Sequence, residues 1–71
     1  MVNGWTKKGL TVSKNKKAIM GRFEKKNKVL TISTRDYKQN KHDVFLNNRR
    51  IRVLTTVGQS IKYLNSFMKA N

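Results

Sequence analysis

The sequence contains no cysteine and no proline, and it has a single histidine and only three acidic residues. Without cysteine the chain forms no disulfide, no thiolate metal site and no catalytic thiol. One histidine excludes a Cys-His catalytic pair and a site with several histidine ligands. Two acidic residues would have to converge to hold magnesium, and we instead expect Asp43 to pair with Arg52, and Asp36 with Arg35 or Lys38. Neither enzyme activity nor a cofactor is expected.

Long apolar segments are also missing. No run approaches the roughly 20 residues that span a membrane, and the first residues, Met1 to Trp5, lack the hydrophobic region of a signal peptide. We therefore expect an intracellular protein, cytoplasmic or nucleoid-associated and not secreted. The 71 residues indicate a single domain, residues 1–71, near the lower size limit for a self-sufficient core. We expect modest stability, raised by a bound anion or by self-association through an edge strand.

Positive charge is what the sequence has in excess. Seventeen lysines and arginines stand against three acidic residues, giving a formal net charge of +14 and an isoelectric point near 11.0. Such charge repels itself in a compact state unless a polyanion relieves it. An isoelectric point this high in a small domain is typical of nucleic-acid binding. The alternative, that the charge only aids solubility, is weaker because balanced charges would serve equally well.

Short apolar-alternating segments separated by turns predict an antiparallel sheet. The turn candidates SKNK, KKNK, KQNK and NNRR each combine asparagine with basic residues, and their spacing indicates an up-and-down meander rather than parallel βαβ units. The candidate strands are residues 9–13, 17–24, 29–37, 44–46 and 51–53. All but two of the basic residues precede position 53, so we expect the sheet and its turns to carry the positive charge.

A C-terminal helix is predicted after Thr56. Thr56 and Gln59 fit a capping box, and the apolar residues that follow recur at helical spacing. The prediction is an α+β fold, in which a small antiparallel β-meander of about four to five strands packs on one C-terminal α-helix. The predicted interior is Leu10, Val12, Ile19, Phe23, Leu30, Ile32, Val44, Leu46, Ile51, Val53, Val57, Ile61, Leu64 and Met68.

The segment VFLNNRRIRV, residues 44–53, predicts a hairpin around Asn47-Asn48, because asparagine tolerates the positive φ of a two-residue turn. Phe45 then lies opposite Arg50, and Val44 lies opposite Ile51. Strict alternation along a strand assigns two faces. The core face holds Val44, Leu46, Ile51 and Val53. The other face is cationic and aromatic and holds Phe45, Arg50 and Arg52.

The candidate nucleic-acid contacts follow from side-chain chemistry. Lysines on turns are flexible charges suited to phosphate, and they are Lys14, Lys16, Lys17, Lys25, Lys26, Lys28, Lys38 and Lys41. Arginines hold phosphate bidentately, pair with guanine or stack on a base, and the candidates are Arg35, Arg49, Arg50 and Arg52. Phe45 and Tyr37 offer rings to unpaired bases. Two alternatives stay open: Trp5 caps the core or stacks on a base, and Phe45 stacks on a base or closes a second core or a dimer interface.

We therefore expect a small non-enzymatic DNA-binding protein of phage, virus or plasmid type. Duplex DNA is the first candidate, and single-stranded DNA or RNA is the alternative. An alternative of another class is a small phage-type protein that binds an acidic host protein. No membrane partner is expected, and a homodimer would form through an edge strand. By element order the predicted fold resembles the DNA-binding domains of some integrases and the single-strand-binding coactivator fold. That resemblance implies nucleic-acid binding and carries over no residue.

Overall fold

The computed structural model describes residues 4–36, 38 and 40–71. Over these residues the chain forms five strands followed by one helix: β1 (Thr6–Val12), β2 (Ile19–Lys25), β3 (Lys28–Asp36), β4 (Lys41–Leu46), β5 (Arg49–Leu54) and α1 (Val57–Ala70). The strands lie in the order in which they occur along the chain, and each pair is antiparallel. The predicted α+β fold, a meander packed on one C-terminal helix, is confirmed.

The β4–β5 turn forms at the predicted residues. Asn47 and Asn48 have φ angles of 52° and 67°, the left-handed conformation that asparagine adopts more readily than most residues. The backbone N–H of Val29 donates to the side-chain oxygen of Asn47 over 2.8 Å, and the N–H of Asn47 donates to the carbonyl of Val29 over 2.9 Å. The turn is therefore anchored to the neighbouring strand β3.

The helix begins after Thr56, as predicted, but only half of the capping box forms. The hydroxyl of Thr56 accepts a hydrogen bond from the backbone N–H of Gln59 over 3.0 Å. The side-chain oxygen of Gln59 accepts instead from the hydroxyl of Thr55, over 3.1 Å. The first turn of the helix is thus held by two neighbouring threonines.

Side chains from the helix and one face of the sheet form the core. The buried hydrophobic residues are Trp5, Ile19, Phe23, Leu30, Ile32, Val44, Leu54, Val57, Leu64 and Met68. Trp5 is 1% exposed and packs edge-on against Phe67, with ring centroids 6.2 Å apart. Of the two alternatives for Trp5, the structure therefore selects the core. Leu10 and Val53 were predicted to be interior, but they remain 38% and 39% exposed.

A β-bulge in β5 exchanges the predicted faces of two residues in the final strand, Arg52 and Val53. Phe45 pairs with Arg50 as expected, but the register then shifts, so that Val44 pairs with Arg52 and Asp43 pairs with Val53. The predictions that Val44 lies opposite Ile51 and Asp43 opposite Arg52 are wrong. In a regular strand, residues three apart point to opposite faces. One extra residue lets both Ile51 and Leu54 pack on the core, and Arg52 and Val53 exchange faces as a consequence.

Paired residues line up in rows across the sheet. On the helix side, two of these rows are Lys7–Phe23–Leu30–Leu46–Arg49 and Leu10–Gly21–Ile32–Val44–Arg52. On the opposite side, which we term the outer face, they are Gly9–Arg22–Thr31–Phe45–Arg50 and Thr11–Met20–Ser33–Asp43–Val53. The outer face is the side of the sheet that faces away from α1.

Candidate nucleic-acid interface

Three arginines occupy the outer face. Arg35 and Arg50 were predicted as contacts, and Arg22 was missed, although it alternates outward with Met20 along β2. Arg50 lies directly opposite Phe45, and Arg22 lies opposite Thr31 in the same row. Because neighbouring strands are about 4.8 Å apart, the Cα atoms of Arg22 and Arg50 are separated by about 14 Å. The row therefore places one guanidinium group on each side of the Thr31–Phe45 pair.

Phe45 lies on the outer face and is half-buried. It pairs with Thr31 on one side and with Arg50 on the other. It does not belong to the core formed with the helix. The side chain is therefore placed where a ligand lying on the outer face would meet its ring.

Arg49 and Arg52 lie on the helix side. Arg49 pairs with Leu46 and Arg52 pairs with Val44, both of which contribute to the core or pack against it. The guanidinium carbon of Arg52 lies 5.7 Å from the ring centroid of Tyr63 in α1, within the range of a cation–π contact. The prediction that Arg52 shares a face with Phe45 and Arg50 is therefore wrong. Tyr37 and the side chain of Asp36 lie outside the described residues.

Acidic residues pair with two of the outer-face arginines. The Nε atom of Arg22 lies 2.7 Å from a carboxylate oxygen of Glu24, and the Nε atom of Arg35 lies 3.6 Å from Oδ2 of Asp43. The side chain of Asp43 is only 6% exposed, and its Oδ1 atom has no hydrogen-bond partner among the described residues. Asp43 thus pairs with Arg35 and not with Arg52. These two ion pairs lower the net positive charge of the outer face.

The predicted lysine contacts form two groups at opposite ends of the sheet, because successive turns of a meander alternate between its ends. One group, on the β1–β2 and β3–β4 connections, is Lys14, Lys16, Lys17, Lys38 and Lys41. The other, at the β2–β3 turn, is Lys25, Lys26 and Lys28. All are exposed or half-buried. Lys25 also donates to the backbone carbonyl of Asn71, after the end of the helix, over 2.7 Å. The seven residues of β2 separate the two groups by about 20 Å.

His42 is buried in β4, where it pairs with Thr34 of β3 and Leu54 of β5. Its Nδ1 atom lies 2.9 Å from the hydroxyl oxygen of Thr34, which also accepts the backbone N–H of Ile19 over 2.7 Å. Burial lowers the pKa of His42 below its ordinary value of 6.5, and the neighbouring carboxylate of Asp43 opposes that shift only in part. The imidazole is therefore a neutral structural group that joins β2, β3 and β4.

Acidification is expected to destabilise the protein through His42. Below pH 6.5 the unfolded chain binds a proton that the folded state resists, so the free energy of unfolding falls until the pH passes below the lowered pKa of the folded state. Urea denaturation in steps between about pH 8 and 5 measures this slope. A His42→Leu variant should lack it. If the free energy of unfolding instead increases as the pH is lowered, His42 does not have a lowered pKa in the folded state.

The edge strands of the sheet are β1 and β5. β1 carries Lys7 and Lys8, and β5 carries Arg49, Arg50 and Arg52. Charged residues on an edge oppose its pairing with a second copy. Self-association through an edge strand stays a prediction, and these charges act against it.

Among the described residues, no three His, Asp or Glu side chains group together as metal ligands, and no helix has the length and apolar character needed to cross a membrane. The chain matches no protein-family model, and neither a curated protein nor a solved structure is significantly similar to it.

Proposed function

We propose that this protein binds nucleic acid without catalysing a reaction, and that its ligand is an unpaired strand lying across the outer face. The observation that carries the proposal is the row Arg22–Thr31–Phe45–Arg50. It combines an aromatic ring with two flanking guanidinium groups on the side of the sheet away from the helix. Aromatic rings on a sheet face stack on unpaired bases, and arginines beside them hold the phosphates.

The overall charge supports a polyanionic ligand. A net charge of +14 on 71 residues attracts a phosphate backbone over a distance of about a Debye length. The two lysine groups lie at opposite ends of the sheet, and we expect them to contact the nucleic-acid backbone on either side of the row Arg22–Thr31–Phe45–Arg50. Their contacts would be independent of sequence and sensitive to salt.

The dimensions of the sheet favour an unpaired strand over a duplex. Five strands span about 19 Å from the first to the last, whereas the major groove of B-DNA is about 12 Å wide and admits a helix or a two-stranded ribbon. In a duplex the faces of the bases are stacked on each other, so that Phe45 could not reach them. Duplex DNA remains the second candidate, because the β4–β5 hairpin has the width of such a ribbon and β5 carries arginines on both of its faces.

Fluorescence anisotropy with a labelled single strand, a duplex of equal length and polyglutamate tests this proposal. The wild-type protein should prefer the single strand. Phe45→Leu keeps an apolar side chain but loses the aromatic face. It should weaken single-strand binding by about 5-fold or more, because a base–aromatic stack contributes about 1–3 kcal/mol. Binding to the duplex and to polyglutamate should not change.

Two other outcomes would each contradict the proposal. If the wild type and Phe45→Leu bind the single strand with equal affinity, Phe45 does not stack on a base. Tighter binding of polyglutamate than of either nucleic acid would instead favour an acidic protein partner. Thermal unfolding followed by circular dichroism serves as the control that Phe45→Leu remains folded.

A further inference from the structure

The Arg22–Glu24 pair has a specific geometry. The carboxylate of Glu24 accepts a hydrogen bond from the Nε–H of Arg22 over 2.7 Å. The terminal nitrogens of the guanidinium, Nη1 and Nη2, have no hydrogen-bond partner among the described residues. The side chain of Arg22 remains 57% exposed. Glu24 therefore fixes one edge of the guanidinium and leaves the other edge available on the outer face.

The edge left available is the one suited to an oxyanion. Nη1 and Nη2 can donate two parallel hydrogen bonds to the two oxygens of a phosphate, and this bidentate contact requires a defined orientation of the guanidinium plane. An arginine held in place before binding loses less conformational freedom when the ligand arrives. Arg50, at the other end of the same row, has no carboxylate partner in the described part of the chain.

We infer that Glu24 is a positioning residue, which holds Arg22 so that its terminal nitrogens bind one phosphate of the strand on the outer face. The inference rests on the proposed function. It explains why a chain with only three acidic residues has one of them beside Arg22 on the outer face, where a negative charge by itself repels nucleic acid. The gain from orientation must then exceed the electrostatic cost of the carboxylate.

The inference predicts an effect opposite in sign to that of charge alone. Removing an acidic residue from a nucleic-acid-binding face should strengthen binding if attraction is diffuse, because net positive charge increases. If Glu24 orients Arg22, its removal should weaken binding. An exposed ion pair contributes little to stability. We therefore expect variants at Glu24 to remain folded, so that a loss of affinity would not result from unfolding.

Two variants with the same change of charge separate these effects. Glu24→Val suits a strand and cannot accept the Nε–H of Arg22, and it should weaken single-strand binding by about 3- to 10-fold. Glu24→Gln keeps an acceptor oxygen at the same position and should retain an affinity equal to that of the wild type or higher. The dissociation constants are measured by anisotropy at several salt concentrations, and circular dichroism confirms that both variants are folded.

Arg22→Lys provides a second test that leaves Glu24 in place. Lysine keeps the charge but lacks the planar fork, so the variant should lose affinity to a similar extent as Glu24→Val. In an Arg22→Gln background, the change Glu24→Val should no longer weaken binding, because the group that Glu24 orients is absent. Arg22→Lys also keeps the test informative if Glu24→Val unfolds the protein.

The outcomes distinguish this inference from the proposed function. If the wild type binds a single strand and both Glu24 variants bind it more tightly, the positioning role is overturned while the proposed function stands. If the wild type shows no salt-dependent binding to a single strand, both are overturned. Weaker binding by Glu24→Val with retention by Glu24→Gln supports both.

Discussion

Replacing Arg22 and Arg50 together with glutamine is expected to weaken binding to a single-stranded oligonucleotide by about 30- to 900-fold. The estimate assigns each arginine a charged hydrogen bond worth about 1–2 kcal/mol net. The dependence of log K on log salt should also become shallower by about 1.4, since each phosphate contact with a single strand contributes about 0.7 to that slope. Anisotropy titrations between about 50 and 200 mM salt measure both quantities.

The chain contains its own matched control for this prediction. Arg49 and Arg52 lie on β5 beside Arg50, but they face the helix side. Replacing both with glutamine removes the same charge and should weaken binding by no more than about 4-fold through long-range attraction alone. Equal losses from the two double variants would mean that binding is diffuse and that the outer face has no special role. Because Arg52 contacts Tyr63, the control variant needs a check of its unfolding free energy.

Replacing Trp5 with alanine is expected to lower the free energy of unfolding by about 3–5 kcal/mol. The indole is 1% exposed and packs against Phe67, so its removal leaves a large cavity in the core. Small domains have a total stability of about 5–15 kcal/mol, and this one also carries the self-repulsion of its charge. A large unfolded fraction is therefore expected at room temperature. Urea denaturation followed by circular dichroism measures the change, since the variant has no tryptophan fluorescence.

Two further variants test whether the loss of stability in Trp5→Ala comes from the buried apolar area of the indole. Trp5→Phe keeps most of the buried apolar area and should cost less than half as much as Trp5→Ala. Met20→Ala removes a large side chain that is 67% exposed on the outer face, and it should change stability by no more than about 0.5 kcal/mol. A Trp5→Ala protein as stable as Met20→Ala but deficient in binding would instead identify the indole as a stacking platform.

Local signals in the sequence were sufficient for most of the fold. The Asn47-Asn48 turn forms because asparagine accepts the positive φ that a two-residue hairpin requires. The helix begins after Thr56 because its hydroxyl caps the first turn. Alternation along β2 and β3 correctly assigned Ile19, Phe23, Leu30 and Ile32 to the core, since a regular strand has a period of two. Each of these features depends on residues close together in the chain.

The candidate interface was predicted less completely. Phe45, Arg50 and Arg35 were correctly placed on the outer face, but Arg52 was not, because the β5 bulge shifts the pairing by one residue. No turn signal or propensity marks Ile51 as the extra residue. The bulge forms because the helix side can bury Leu54 as well as Ile51, which depends on where the helix lies. Arg22 was missed because its place in the row depends on the register of three neighbouring strands.

The sequence by itself determined the order of strands and helix, the positions of the turns and the excess of positive charge, because each arises from composition or from residues near one another in the chain. Only the tertiary structure decided that Trp5 is buried, that Arg52 faces the helix, and that Arg22 and Arg50 flank Phe45 in one row. These features depend on the register between strands and on packing against the helix. Both are set by contacts between residues that are distant in the chain.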